Sequence, residues 1–319
     1  MKLLIIGAGN IAHAYIAALK SLGYRDIDIL SRRAKPAQEM AEGSNIGRGI
    51  GGGIETLRKI VGAYDGFIIA VPPETLMVYL AFLSDQKASR ILVEKPVALS
   101  SKVLGEFLEK FPKSPARVAL NRLYYPSVDM VRHHLIEDGG ATSCLFSFCE
   151  WVHRIPPDLF GAETMARLGI ANSIHIIATV FDVIGMPKTM SREVAGQGEV
   201  DWHPSGAVYV GSGLSTTNVP FAYYSDWLSA GRWSMTFRSR RGAYILEPIE
   251  GLKFCPRGSI KEEDLLPPDS GSIKCGFAEM LSAWLSEDGD DRNTLPRLHG
   301  YLESVEHIMN YPPDSEMRS

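Results

Sequence analysis

Along the first 120 positions apolar residues fall in short unbroken runs, each followed by a stretch where they recur every three or four residues. The runs are Leu3-Leu4-Ile5-Ile6, Asp28-Ile29-Leu30, Gly66 to Val71, Ile91-Leu92-Val93 and Val118-Ala119-Leu120. Helical spacing is carried by Ile11, Ala12, Tyr15, Ile16 and Leu19, and again from Leu76 to Leu83. Continuous apolar runs suit strands covered on both faces, so the alternation predicts a parallel sheet between two layers of helices. Gly47 to Gly53 holds five glycines in seven positions, more than a regular element tolerates, and predicts a mobile or tightly turned connection.

Beyond Pro126, which opens a helix, the pattern changes to alternating strands rich in aromatic and β-branched residues. Cys144 to Trp151, Ala207 to Val210, Ala222 to Ser225, Trp233 to Phe237 and Ala243 to Leu246 read as a mostly antiparallel sheet. Large apolar residues occupy both parities of these strands, as in Leu145 beside Phe146 and Tyr223 beside Tyr224. The tail after Tyr311 has no packing pattern and should be loose.

The chain has 319 residues, 45% apolar and 22% charged, which is enough for two cores. A net charge of -4 gives no electrostatic case for nucleic acid or an anionic membrane, leaving a small molecule as the expected partner. Four cysteines without a CxxC pair or a nearby His read as reduced structural thiols, and no metal site is implied. With a strand beginning at its second residue and no apolar stretch of membrane-spanning length, the expected location is the cytoplasm.

Candidate chemistry begins where the first strand breaks into Gly7-Ala8-Gly9-Asn10-Ile11-Ala12, a GxGxxA turn opening a helix. Gly7 permits the turn, Gly9 lets backbone approach a pyrophosphate, Ala12 keeps helix on strand, and the amides from Asn10 and Ile11 onward meet the phosphates. The predicted fold class is therefore α/β: a Rossmann dinucleotide-binding domain over residues 1–122, then an α+β substrate-binding and oligomerisation domain over 123–319. About twenty residues after the glycines, Ser31-Arg32-Arg33 stands where an acid would select NAD. A hydroxyl followed by two guanidiniums offers charge-assisted bonds to a 2′-phosphate, so NADP is the expected cofactor, with NAD second. Val71 and Pro72 are expected to wall the nicotinamide end.

Glu94-Lys95-Pro96 places a carboxylate and an ammonium at the carboxyl end of a parallel strand, the edge where open sheets keep their ligands. With the upstream GxGxxA turn, this resembles the Gfo/Idh/MocA oxidoreductases, named for glucose-fructose oxidoreductase, inositol dehydrogenase and a rhizopine-catabolism protein. Val118 to Pro126 is similar to that family's strand ending in Asn-Arg, an aromatic and a helix-opening proline. Ile174-His175 through Gly185 is similar to its substrate-domain helix with an active-site histidine. The resemblance implies that Lys95 and His175 are catalytic, that Glu94 adjoins the cofactor, and that Asn121, Arg122, Tyr124, Trp151 and Asn172 join Lys95 and His175 around a sugar-like substrate. Taken singly, His175 is also explained as a core histidine beside Ile174, Ile177 and Phe181, and Trp151, His153 and Arg154 as sheet packing.

The chain departs from the family pattern at Ala171 and Ala178, where acids are usual, at Ser173 in place of a glycine, and at Val71 and Leu76. A histidine titrating near neutrality suits the proton transfer that accompanies hydride transfer, while a lysine orients and polarises the same oxygen. The leading expectation is an NADP-dependent oxidoreductase acting on a sugar-like carbonyl or hydroxyl, including nucleotide or surface-polysaccharide sugars. The missing acids keep open a non-catalytic NADP-binding sensor or scaffold, and a nicotinamide-assisted glycosidase or lyase is a third class. The family pattern also implies a homodimer or homotetramer formed through the open face of the second domain's sheet.

Overall fold

Strands apolar on both faces are satisfied only between two layers of helices, and the first compact unit is built that way. The computed structural model describes residues 1–268, 271, 273–286 and 290–312. The unit comprises Met1–Ala98, Lys102–Asn121 and Gly271–Leu298. Its strands are β1 (Leu3–Ile6), β2 (Ile27–Leu30), β3 (Gly49–Ile50), β4 (Gly66–Ile69), β5 (Ile91–Val93) and β6 (Arg117–Val118), ordered β3-β2-β1-β4-β5-β6 and all parallel. Every residue of β1, β2, β4 and β5 is buried. The chain runs outward from β1 to one side and from β4 to the other, so the crevice at their carboxyl ends is the topological switch point.

Two features differ from the sequence reading. The glycine-rich stretch is partly sheet, because Gly49–Ile50 pairs with Ile29–Leu30 as β3. Gly49 permits this, since a Cβ there would overlap the backbone of Ala37 and Gln38. Residues 1–122 are also not the whole of the unit, because the segment from Gly271 to Leu298 returns to it. Helix Phe277–Leu285 sets the Phe277 ring 5.1 Å from Tyr15, and Arg90 donates to the carbonyls of Trp284 and Leu285 at 3.1 and 2.9 Å. Asn293 Nδ2 donates to the Val118 carbonyl at 2.8 Å. Phe277, Met280, Leu281 and Trp284 are buried, each contributing roughly 1.5–3 kcal/mol of apolar burial, and this outweighs contiguity in sequence.

The second unit comprises Leu99–Ser101, Arg122–Ser270 and His299–Ser319. Its nine strands are β7 (Ser143–Phe148), β8 (Pro187–Met190), β9 (Glu193–Ala195), β10 (Val208–Ser215), β11 (Pro220–Asp226), β12 (Trp233–Arg238), β13 (Gly242–Leu246), β14 (Leu252–Pro256) and β15 (Glu263–Leu266). They run in the order β15-β14-β13-β12-β7-β11-β10-β8, with β9 on β10, and every pairing is antiparallel except β7 with β11. The strands that pattern missed, β8, β9, β14 and β15, are three to five residues long and lie at or next to the ends of the sheet, too short to show an alternation.

Strand parity sorts this sheet into two faces. Phe146, Phe148, Phe221 and Tyr223 point inward, and the rings of Phe146 and Phe221 lie 6.0 and 5.2 Å from Phe181 on helix Ile174–Ile184. Leu145, Val210 and Tyr224 point outward and are 41%, 49% and 47% exposed. No helix among the described residues is long and apolar enough to cross a membrane. No group of three or more His, Cys, Asp or Glu residues among them could hold a metal ion.

A buried polar chain closes the unit at its C-terminal end. His203 Nδ1 lies 2.9 Å from the Gly206 carbonyl, which can only accept, so the ring proton sits on Nδ1 and Nε2 accepts from the Tyr311 hydroxyl at 2.8 Å. Tyr311 Oη in turn accepts from the Gly169 amide at 2.8 Å. Tyr311 is thus packed, the Pro312 carbonyl accepts from Arg167 at 2.7 Å, and the tail expected to be loose lies from residue 313 onward outside the described residues.

Burial lowers the His203 pKa to about 4. The unfolded chain takes up a proton near 6.5 that the folded chain refuses until about 4, so this stabilisation is complete above 6.5 and is lost as pH falls through that window. Urea unfolding at pH 7 and pH 5 should show wild type losing about 2 kcal/mol more than His203→Gln over that interval; equal losses would contradict the assignment.

Candidate cofactor and substrate sites

The GxGxxA turn is shaped by one close approach. Gly7 follows β1 at φ +126°, and a Cβ there would fall on the Ala70 carbonyl, 2.6 Å from its carbon. The Gly7 amide donates to the Leu30 carbonyl at 2.8 Å, tying the turn to β2. Gly9 is the N-cap of helix Asn10–Ser21 with an ordinary φ of -92°, and nothing lies within 4 Å of where its Cβ would be. No side chain caps this helix, Asn10 is exposed, Ile11 half-buried, and Ala12 fully buried against the strands. Open space before uncapped amides is the environment a pyrophosphate requires.

At the end of β2, Ser31 Oγ donates to the Arg33 carbonyl, and the amides of Gly52 and Gly53 donate to the Arg32 and Ser31 carbonyls at 3.1 Å each. Arg32 and Arg33 are exposed, and neither guanidinium has an ion-pair partner among the described residues. Val71 is half-buried, and exposed Pro72 is the N-cap of helix Pro73–Asp85. After β5, Glu94 Oε1 accepts from Tyr15 Oη at 2.5 Å and Oε2 from the Lys95 amide at 3.2 Å. Burial raises the Glu94 pKa, opposed by the Tyr15 hydrogen bond and the ammonium groups of Lys95 and Lys274. Asn121 spends its amide within the unit, Nδ2 donating to the Cys275 carbonyl at 2.9 Å.

In the second unit, His175 lies near the start of helix Ile174–Ile184 and is only 4% exposed. Its ring is 6.4 Å from Trp233, whose other neighbour is the Arg122 guanidinium at 4.6 Å. The π-helical turn Gly169–Ser173 leads into this helix. There Asn172 Nδ2 and Ser173 Oγ donate to the two oxygens of buried Glu150 at 2.9 and 2.7 Å. The turn contains no acid, Ala171 in it and Ala178 in the helix after it are buried, and the carboxylate at this place comes from Glu150, two residues past β7. Tyr124 is core, 1% exposed. Trp151, next to Glu150 in the chain, is 49% exposed, and its indole N–H donates to the Gly231 carbonyl at 2.7 Å.

Sequence pattern thus missed Glu150 and Trp233. Glu150 was hidden because Cys144 to Trp151 reads as one strand and its partners lie 22 and 23 positions away. Trp233 reads as an ordinary strand aromatic, and no local signal marks its contacts with Arg122 and His175.

Residues 1–121 match the model of the oxidoreductase family GFO_IDH_MocA, NAD-binding Rossmann fold. No curated protein matches the chain significantly. Among solved structures, a Gfo/Idh/MocA family oxidoreductase from Vibrio cholerae is similar at 17% identity and TM-score 0.76, with 97% of each chain covered. An oxidoreductase from Agrobacterium radiobacter in complex with NAD+, L-tartaric acid and magnesium aligns at 16% identity and TM-score 0.76 over 96% of this chain and 94% of that one. A UDP-N-acetylglucosamine 3-dehydrogenase from Acidithiobacillus ferrooxidans aligns at 10% identity and TM-score 0.73 over 97% and 96%. At such identities the likeness over the full length is one of fold. Over residues 1–121 the chain is thus similar to the NAD-binding Rossmann domain of the Gfo/Idh/MocA oxidoreductases, and over its whole length it has the fold of solved members of that family.

Proposed function

We propose that this chain is an NADP-dependent oxidoreductase of the cytoplasm that transfers hydride to or from a sugar-like carbonyl or hydroxyl, with Lys95 and His175 as its catalytic pair. The observation that carries the cofactor reading is the open, uncapped helix start at Gly9 together with two exposed arginines, Arg32 and Arg33, at the end of β2. An acidic residue there would repel a 2′-phosphate; two guanidiniums attract it. When bound, the nicotinamide supplies or accepts the hydride. The chain's part is to hold the substrate oxygen by the Lys95 ammonium and to move its proton at the His175 imidazole. Arg122, which shares the Trp233 ring with His175, supplies donors for further substrate oxygens, and Asn172, with its nitrogen on Glu150, offers its amide oxygen as an acceptor. The UDP-sugar dehydrogenase of similar fold supports a sugar as the substrate class. NADP favours the reductive direction, because cells commonly keep that pool reduced. A non-catalytic NADP-binding sensor is the second reading, favoured by the apolar Ala171 and Ala178.

Titration calorimetry tests the cofactor. NADPH should bind more tightly than NADH, and Arg32→Ala should erase most of the difference; equal affinities in wild type would overturn the assignment. Gly9→Ala should keep the melting temperature of wild type yet abolish binding, because its Cβ meets only the space the phosphates need.

Turnover separates the two readings. With a keto-sugar panel, wild type should consume NADPH on at least one substrate, and Lys95→Ala and His175→Ala should each lower that rate roughly 100-fold with cofactor affinity retained. No consumption with any member favours the sensor, and full activity in either variant removes that residue from the mechanism.

The outward Leu145, Val210 and Tyr224 support a homodimer or homotetramer joined through that face. Light scattering after gel filtration should give at least twice the 35.1 kDa of one chain; a particle of single-chain mass at micromolar concentration would exclude it.

A further inference from the structure

Tyr79 and Phe82 stand one turn apart on helix Pro73–Asp85, on the side that meets Gly53–Ile60, the helix that follows β3. The Arg58 guanidinium of that second helix lies 5.1 Å from the Phe82 ring centre. Tyr79 reaches the helix start: a Cβ on Gly53 would stand 3.3 Å from the Tyr79 hydroxyl oxygen and 3.6 Å from Arg32 Cγ. The start is itself tied to β2, because the Gly53 amide donates to the Ser31 carbonyl at 3.1 Å. Phenol, glycine turn and Arg32 therefore meet at the carboxyl ends of β2 and β3, all inside the first unit.

Tyr79 is only 8% exposed, and its hydroxyl has no hydrogen-bond partner among the described residues. A phenylalanine would fill the same space without the cost of drying a hydroxyl, so packing alone does not account for the oxygen. Burial raises the Tyr79 pKa above its ordinary 10.0, against the pull of the Arg32 guanidinium, so the phenol keeps its proton and presents a donor. Glu55, the acid in the first turn of helix Gly53–Ile60, is paired with Arg58 at 3.6 Å and leaves Arg32 without a counter-ion.

We propose that Tyr79 is a specificity-determining residue of the cofactor site, its hydroxyl donating to the 2′-phosphate of NADP beside the Arg32 guanidinium. An O–H donor next to a cation is matched by an oxyanion, which accepts from both. The 2′-hydroxyl of NAD is the poorer match, since it has a proton of its own to give and a guanidinium accepts nothing. The contact rests on the NADP reading of the site and adds to it a residue from the helix after β4, some 47 positions from Arg32.

Titration calorimetry with two ligand pairs, NADPH against NADH and adenosine 2′,5′-bisphosphate against 5′-AMP, tests the contact without turnover. Wild type should favour the 2′-phosphorylated member of each pair. Tyr79→Phe keeps the ring and removes only the oxygen; it should weaken NADPH and the bisphosphate about tenfold, the scale of one hydrogen bond to a charged group, and leave NADH and AMP unchanged. Unchanged NADPH affinity in Tyr79→Phe, with wild type still preferring NADPH, overturns the contact and leaves the cofactor reading standing. An equal loss for NADH and NADPH also overturns it, by making Tyr79 a residue of the adenosine pocket or of the packing. Equal affinity of wild type for the two cofactors overturns the cofactor reading, and the contact with it.

Discussion

The first unit depends on one backbone approach, that of Gly7 to the Ala70 carbonyl at the ends of β1 and β4. These are the two strands from which the chain departs in opposite directions, so the crevice of the sheet opens where they end. No side chain other than hydrogen fits at Gly7, and the turn that results aims the next helix at open space. The amides past Gly9, the arginines after β2 and the Glu94-Lys95 pair after β5 all lie at carboxyl ends of neighbouring strands. One packing constraint thereby sets the turn on which the proposed cofactor site depends.

The second unit solves a different problem, holding a buried histidine and its polar neighbours in an apolar setting. Glu150 is 6% exposed, and a carboxylate so placed must have its oxygens satisfied. Asn172 and Ser173 do this, and because a carboxylate only accepts, the Asn172 amide must turn its nitrogen to Glu150, leaving its oxygen to face elsewhere. The turn preceding His175 is held at its other end by the Tyr311 hydroxyl on the Gly169 amide. The geometry before the histidine is therefore set by groups from β7 and from the C-terminal segment.

What could be read from sequence was what is local. The buried runs, the glycine turn, the arginines after β2 and Lys95 after β5 are each defined by residues within a few positions of one another. What stayed hidden depends on chain return. The packing of helix Phe277–Leu285 on Tyr15, the Glu150 carboxylate under Asn172 and the Trp233 ring between Arg122 and His175 each join residues far apart in sequence. Amphipathic spacing shows that a face is buried and does not say against what. The short strands near the sheet's ends were missed because three to five residues are too few to carry a period.

The central claim is that the Gly9 turn and the arginines after β2 together receive NADP. A crystal structure of the chain grown with NADPH tests it most directly. The account predicts the pyrophosphate within hydrogen-bond distance of the Asn10 and Ile11 amides and the 2′-phosphate against the guanidinium of Arg32 or Arg33. A dinucleotide bound away from that turn, or one whose 2′-phosphate points into solvent with both arginines turned aside, would contradict it.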